Sequence, residues 1–152
     1  MTTVITYGTF DLFHVGHLNL FRNLKSIGDR LIVAVSTDEF NDIKGKRAII
    51  PFVNRVEIVK AIRFVDLVVP ETSWDQKISD IKKHNVDVFA IGEDWTGKFD
   101  HLSDHCRVIY LPRTHGISST DLRQALAPLR RDRIDELRSA IDILSRVVED
   151  LD

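Results

Sequence analysis

Five short runs of Val, Ile and Leu, at residues 4–7, 31–36, 67–70, 86–91 and 108–111, decide what this chain can fold into. They are near-continuous rather than alternating, the pattern of parallel strands covered on both faces. Helical patterns separate most of them. The first covers residues 13–27, with Val15, Leu18, Phe21 and Leu24 on one face and Gly28 as its stop. The next opens at Pro51, a favoured first helical position, and buries Phe52, Val56, Val59 and Ile62. A third covers residues 74–84. Strands alternating with helices predict an α/β fold, a Rossmann-like, doubly wound open sheet of about five parallel strands. In such sheets ligands bind beyond the carboxyl ends of the strands, where strand order reverses.

The chain has 152 residues and a formal charge of −2, so composition gives no reason to expect nucleic acid as a partner. No apolar run approaches the roughly 20 residues that span a bilayer. The opening Met1-Thr2-Thr3-Val4 has no basic signal-peptide region. Cys106 is the only cysteine, which excludes an intramolecular disulfide and fits a reducing compartment. These features set the expectation of a cytoplasmic protein without membrane insertion. A domain boundary is expected at Pro128, giving a domain of residues 1–127 and a helical extension of residues 128–152. Before the boundary lies a short helix at 119–127. After it, Ile134, Leu137, Ile141, Leu144, Val148 and Leu151 follow alternating three- and four-residue steps, a seam of about two and a half heptads. Such a helix either lies on its own domain or pairs across a homodimer.

The sharpest motif follows the first strand: Gly8-Thr9-Phe10-Asp11-Leu12-Phe13-His14-Val15-Gly16-His17. Two histidines three apart share one side of a helix start, where free N–H groups and the helix dipole favour an anion. Three readings fit. The imidazoles donate hydrogen bonds to a phosphate chain, with Gly16 allowing its close approach and Gly8, Thr9 and Phe10 adding donors. Alternatively they form a metal pair, or they only cap the helix and fill the core. A second helix start, Arg113-Thr114-His115-Gly116-Ile117-Ser118-Ser119-Thr120, follows the last strand. Ser118 and Asp121 resemble a capping box, and the same segment offers an anion site with one guanidinium and several hydroxyls. Lys44-Gly45-Lys46-Arg47 is either a solvated charge run or a basic loop that closes over phosphates. The segment 91–100 is either a plain loop or the wall of a nucleoside pocket, with Asp94 for sugar hydroxyls and Trp95 as a flat apolar face. Arg63 and Asp66 form a local ion pair or belong to the same cleft. A dinucleotide fold of the G-x-G-x-x-G kind is disfavoured, because the first turn lacks that motif.

G-T-F-D-x-x-H-x-G-H together with R-T-x-G-I-S-[ST]-T resembles the signature pair of the cytidylyltransferases, within the wider HxGH nucleotidyltransferase superfamily. The likeness covers about residues 3–126 and includes 36–41, 63–66 and 97–100. It is greatest to members that act on glycerol 3-phosphate. The resemblance implies reaction of CTP with glycerol 3-phosphate in the presence of Mg²⁺, giving CDP-glycerol for teichoic-acid-like polymers, without a covalent intermediate. It implies no protein metal ligand, the ion riding on the triphosphate. By position it assigns His14, His17, Lys46 and Arg113 to catalysis. It places Thr9, Phe10, Thr114, Gly116, Ile117, Ser118, Ser119 and Thr120 against the nucleotide, and the reading of the residues adds Gly8, Asp11, Gly16, Arg63, Asp66, Asp94 and Trp95 to the expected contacts. Lys44 and Lys77 would face the acceptor phosphate. His115 and Ser119 depart from the residues expected at their positions. Other acceptors (phosphoethanolamine, phosphocholine, polyol phosphates), an adenylyltransferase and a non-catalytic CTP-binding regulator stand as the alternatives.

Overall fold

A computed structural model describes residues 1–149 of the protein. The chain divides into two compact units, Met1–Ile117 and a helical one from Ser118 onward. In the first unit the elements run β1 (Thr3–Gly8), α1 (Val15–Ile27), β2 (Arg30–Ser36), α2 (Asp38–Ile43), α3 (Phe52–Lys60), β3 (Leu67–Glu71), α4 (Gln76–His84), β4 (Val88–Gly92) and β5 (Arg107–Leu111). Two short 3-10 turns, Glu93–Trp95 and Asp100–Asp104, link the last two strands. All strand pairs are parallel, in the order β3-β2-β1-β4-β5. The order reverses between β1 and β4, so Gly8 and Gly92 end their strands at the switch point.

The near-continuous apolar runs are explained by two cores, one on each face of the sheet. Val4, Leu31, Val33, Val35, Val88 and Ala90 point to the side covered by α1 and α3, with Phe21, Leu24 and Val59. Ile5, Tyr7, Ile32, Ala34, Phe89 and Ile91 point to the other side, with Ile81 of α4, Phe99 and Leu102. Successive residues of a strand therefore serve opposite layers. Pro70 is tolerated because β3 is an edge strand, where a missing N–H costs no ladder bond.

Three elements differ from the expectation. The helix α2 was not anticipated. Its signal is Thr37, whose hydroxyl accepts from the Phe40 N–H, followed by Asp38 and Glu39 in the first turn. Pro51 caps α3 rather than occupying its first turn. The helix expected to end at residue 127 continues as α5 (Ser119–Glu149), with Pro128 inside it. Proline deletes only the bond to the Gln124 carbonyl, and the Leu, Ala and Arg residues on either side are strong helix formers. Of the heptad seam, Ile134, Leu137, Ile141 and Leu144 are exposed. The side chain of Val148 and the residue Leu151 lie outside what the structure describes. Among the described residues no helix is long and apolar enough to cross a membrane.

Arg55 of α3 is fully buried, contrary to the habit of its residue type. Its Nε donates to the Ile50 carbonyl at 2.9 Å, and its Nη1 donates to the carbonyls of Thr9 and Ser36 at 2.7 and 2.8 Å. Its Nη2 pairs with Asp38 at 2.8 Å. One guanidinium thus joins the turn after β1, the end of β2, the start of α2 and the segment entering α3. Replacing it by methionine removes every one of these bonds, leaving three carbonyls without this donor and the half-exposed Asp38 carboxylate with the Phe52 N–H. Arg55→Met is expected to lower stability by roughly 3–5 kcal/mol in urea unfolding. A loss below about 1 kcal/mol would contradict this role.

Candidate active site

The turn after β1 is shaped by close packing. Phe10 and Leu12 sit at φ 51° and 49°, a region that non-glycine residues occupy only under constraint. The buried Phe10 ring meets Phe21 and His17 edge-on, at centroid distances of 5.0 and 5.5 Å. A Cβ at Gly8 would come within 2.8 Å of that ring, so the strand must end in glycine. Asp11 is 1 % exposed, and its carboxylate accepts the backbone N–H groups of Leu12, Ile49 and Ile50. It fastens the end of the basic loop to this turn.

His14 caps α1. Its Nδ1 accepts the Gly16 N–H at 3.0 Å, while the Nδ1 of His17 accepts the His14 N–H at 3.3 Å. Each neutral imidazole therefore carries its proton on Nε2, leaving one ring N–H donor apiece. The rings stack with centroids 3.9 Å apart. Burial, followed by the neighbouring His14, pushes the His17 pKa down to about 3, with Asp11 opposing. Burial also lowers that of His14. The capping reading therefore holds: the Nδ1 of each ring is bonded at the helix start, and the remaining ring donor of each is Nε2–H. Gly16 has a reason that the sequence did not show. A Cβ there would lie 2.7 Å from His14 Cε1, so the glycine makes room for the imidazole itself.

The second motif meets this helix start. Asn19 of α1 donates to the Thr114 hydroxyl, and Ile117 Cγ2 lies 3.6 Å from where a Gly16 Cβ would be. The Arg113 Nε pairs with Asp94 at 3.0 Å, and its backbone N–H donates to Glu93. Gly116 turns the chain at φ 86°. His115 is exposed on this turn. Ser118 belongs to the helical unit, where its hydroxyl accepts the Asp121 N–H; Ser119 and Thr120 open α5 beside it.

The basic loop splits into two roles. Lys46 stands over Trp95 at 5.4 Å, and Lys98 faces the same ring at 5.0 Å. Lys44 instead turns inward. It donates to the Ser36 hydroxyl at 2.8 Å, and Lys77 of α4 pairs with Glu71 at 2.9 Å. Glu71 also accepts the Ser36 hydroxyl and lies 3.7 Å from Lys44. Lys77 and Glu71 are each 2 % exposed. Thr9 donates to Asn41 of α2, linking the first turn to the helix that Lys44 follows.

Arg63 and Asp66 are not brought to this site. Both lie in the connection that enters β3, at the amino ends of parallel strands and so at the opposite edge of the sheet. Asp66 accepts the Leu31 N–H and pairs with Lys25, and Arg63 stacks on Phe64. Their proximity in sequence did not reveal that the chain had already crossed the sheet. Sequence reasoning missed Arg55, Glu71 and Trp74. Arg55 had a signal, since it shares a helix face with Phe52 and Val59. Among the described residues no cluster of three or more His, Cys, Asp or Glu groups is placed to hold a metal ion.

A parallel sheet whose strand order reverses beside a histidine-bearing helix start is an α/β architecture of the kind that binds ligands at that point. The chain belongs to the cytidylyltransferase-like family, whose model matches residues 5–125. It is 54 % identical over 129 residues to the glycerol-3-phosphate cytidylyltransferase of Bacillus subtilis (strain 168), covering 85 % of this chain and 100 % of that one. The Staphylococcus aureus (strain NCTC 8325 / PS 47) protein of the same name is 54 % identical over 126 residues, 83 % of this chain and 96 % of the relative. The fold also matches the crystal structure of a lipopolysaccharide core biosynthesis protein from Thermoplasma volcanium GSS1. That match has a TM-score of 0.66 and 22 % identity, over 75 % of this chain and 98 % of the other.

The lowered histidine pKa values have a stability consequence. Between about pH 3 and 6.5 His17 is neutral in the folded protein and protonated in the unfolded chain. The unfolded state then holds the extra proton, so stability is fully present above pH 6.5 and is lost as pH falls through this window. Asp38, held low by the Phe52 N–H and Arg55, contributes its share above its ordinary pKa of 3.8 and loses it only below. His17→Asn keeps a cap acceptor and removes the titration. Its melting temperature between pH 4.5 and 7 should fall less steeply than that of the native protein. Parallel slopes would contradict the assignment.

Proposed function

We propose that this protein transfers the cytidylyl group of CTP to the phosphate of glycerol 3-phosphate. An acceptor phosphate oxygen attacks the α-phosphorus in line, the bond to the α–β bridging oxygen breaks, and pyrophosphate leaves with CDP-glycerol as the other product. The single observation that carries the chemistry is the pair of Nδ1-capped imidazoles. Their Nε2–H donors and the N-terminus of α1 favour the triphosphate and the charge that builds on it in the transition state. Because the attacking phosphate is already an anion, no general base is required, and catalysis reduces to positioning and charge stabilisation. Lys46 and Arg113 would neutralise the nucleotide phosphates, with Trp95 and Asp94 toward the nucleoside. Lys44 and Lys77 would receive the acceptor phosphate. The choice of acceptor rests on the identity to the two named relatives.

Mg²⁺ belongs to the proposal. The Asp11 carboxylate at this turn is engaged by three backbone N–H groups, in keeping with an ion carried by triphosphate oxygens and water. Bound with CTP, it supplies charge neutralisation. A cytoplasmic location is also proposed, in keeping with the lone free thiol of Cys106, and CDP-glycerol would feed teichoic-acid-like polymers. We further propose a homodimer in which α5 pairs with the same helix of a second copy. The seam residues Ile134, Leu137, Ile141 and Leu144 are 50–64 % exposed, and a seam this short is not stable unpartnered.

Pyrophosphate release with CTP and Mg²⁺, across glycerol 3-phosphate, phosphocholine, phosphoethanolamine and ribitol 5-phosphate, tests the reaction. Release with glycerol 3-phosphate is expected, and His14→Asn should lower kcat by about 10²–10³. Comparable turnover in that variant would contradict the mechanism. A chain lacking residues 128–152 should retain turnover and become monomeric in light scattering; a dimeric truncation would refute the pairing of α5.

A further inference from the structure

The aromatic walls beside the acceptor lysines are already filled by the protein's own cations. The Lys77 ammonium lies 4.5, 5.1 and 5.3 Å from the ring centroids of Tyr7, Trp74 and Phe99. That of Lys44 lies 4.5 Å from Phe40 and 5.8 Å from Trp74. Trp74 in turn stands 5.8 Å from Trp95, the ring faced by Lys46 and Lys98. A single carboxylate, Glu71, serves the enclosed pair, bonded to Lys77 and 3.7 Å from Lys44. Ring faces around one carboxylate are the composition that captures an alkylammonium ligand when vacant. Here Lys77 occupies that place, and both ammonium groups share Glu71, while the nearby Asp80 is engaged by the Tyr7 hydroxyl.

We infer that Lys77, clamped by Glu71 inside this ring box, sets acceptor specificity: it excludes phosphates bearing a cationic head group and admits those of uncharged polyols. This rests on the cytidylyl-transfer reading of the site. The nitrogen of an aminoalcohol phosphate is only two carbons from its ester oxygen. An acceptor whose phosphate lies against Lys44 and Lys77 therefore carries its cation into their field. The ring faces nearest the phosphate already hold Lys44 and Lys77, and the repulsion acts beside two largely buried ammonium groups. Burial, reinforced by Lys46 and Lys77 and opposed by Glu71, lowers the Lys44 pKa, as expected where positive charge is crowded.

The test is the ratio of kcat/KM for polyol phosphates (glycerol 3-phosphate and ribitol 5-phosphate) to that for phosphocholine and phosphoethanolamine. In the native full-length protein the ratio should be roughly a hundredfold or more. Lys77→Gln keeps a donor for Glu71 while removing the charge, and should lower the ratio at least about tenfold, because the loss of a phosphate-binding charge raises KM more for the polyol phosphates than for the cationic acceptors, which also escape its repulsion. Glu71→Gln removes the neutralising carboxylate and should raise it. Opposite shifts in the two variants cannot arise from shared structural damage. Native discrimination below about threefold, or an unchanged or parallel response of the two variants, would overturn the inference. Turnover of ribitol 5-phosphate in place of glycerol 3-phosphate would end the glycerol reading and leave the charge rule standing. If no acceptor turns over, equilibrium dialysis of the same labelled acceptors gives the ratio as Kd values, judged by the same limits.

Discussion

The buried guanidinium of Arg55 is the constraint on which the rest of this site depends. A charge so enclosed is stable only when its donors are matched, and the matching partners come from four separate segments. Two of them, the Thr9 and Ser36 carbonyls, lie at the carboxyl ends of neighbouring strands. The others, Asp38 and Ile50, bracket the stretch that carries Lys44 and Lys46. Asp11 completes the enclosure from the opposite direction by accepting the Ile49 and Ile50 N–H groups. The basic loop is consequently attached at both ends to the turn that precedes the histidine helix, and its lysines cannot drift independently of it.

That turn is strained at Phe10 and Leu12, and the strain has a use. It lays the Phe10 ring over Gly8 and against His17, removing water from the imidazole. Desolvation then keeps both histidines neutral, and the capping bonds to Nδ1 decide which nitrogen bears the proton. A protonated pair 3.9 Å apart would repel itself; a neutral pair with both N–H groups on Nε2 offers donors without that cost. Charge enters the site from lysine and arginine instead, on the loop and on the segment after β5.

The sheet was legible because burial on both faces leaves a strong trace, runs of Val, Ile and Leu that no surface element tolerates. The histidine helix was legible because a strand, a glycine and H-x-G-H occur in one short stretch. The packing reason for Gly16 was not, since the sequence cannot say that the space beside it holds the His14 ring. Arg63 and Asp66 misled for a related reason: a helix returns the chain to the far edge of the sheet, so residues close in sequence to one edge can serve the other. Pro128 reads as a break, yet one lost bond does not outweigh the helix formers around it. Arg55 and Glu71 were hidden most thoroughly, because charged residues are read as surface until their partners are seen.

The central claim is that His14 and His17 are neutral Nε2–H donors in the free protein. Nitrogen-15 NMR of the imidazoles, followed from pH 7 down to about pH 4.5, measures both tautomer and charge directly. The account predicts the Nε2–H tautomer for both rings, with His17 unprotonated throughout that range. An Nδ1–H tautomer in either ring, or titration of His17 near its ordinary value of 6.5, would contradict it.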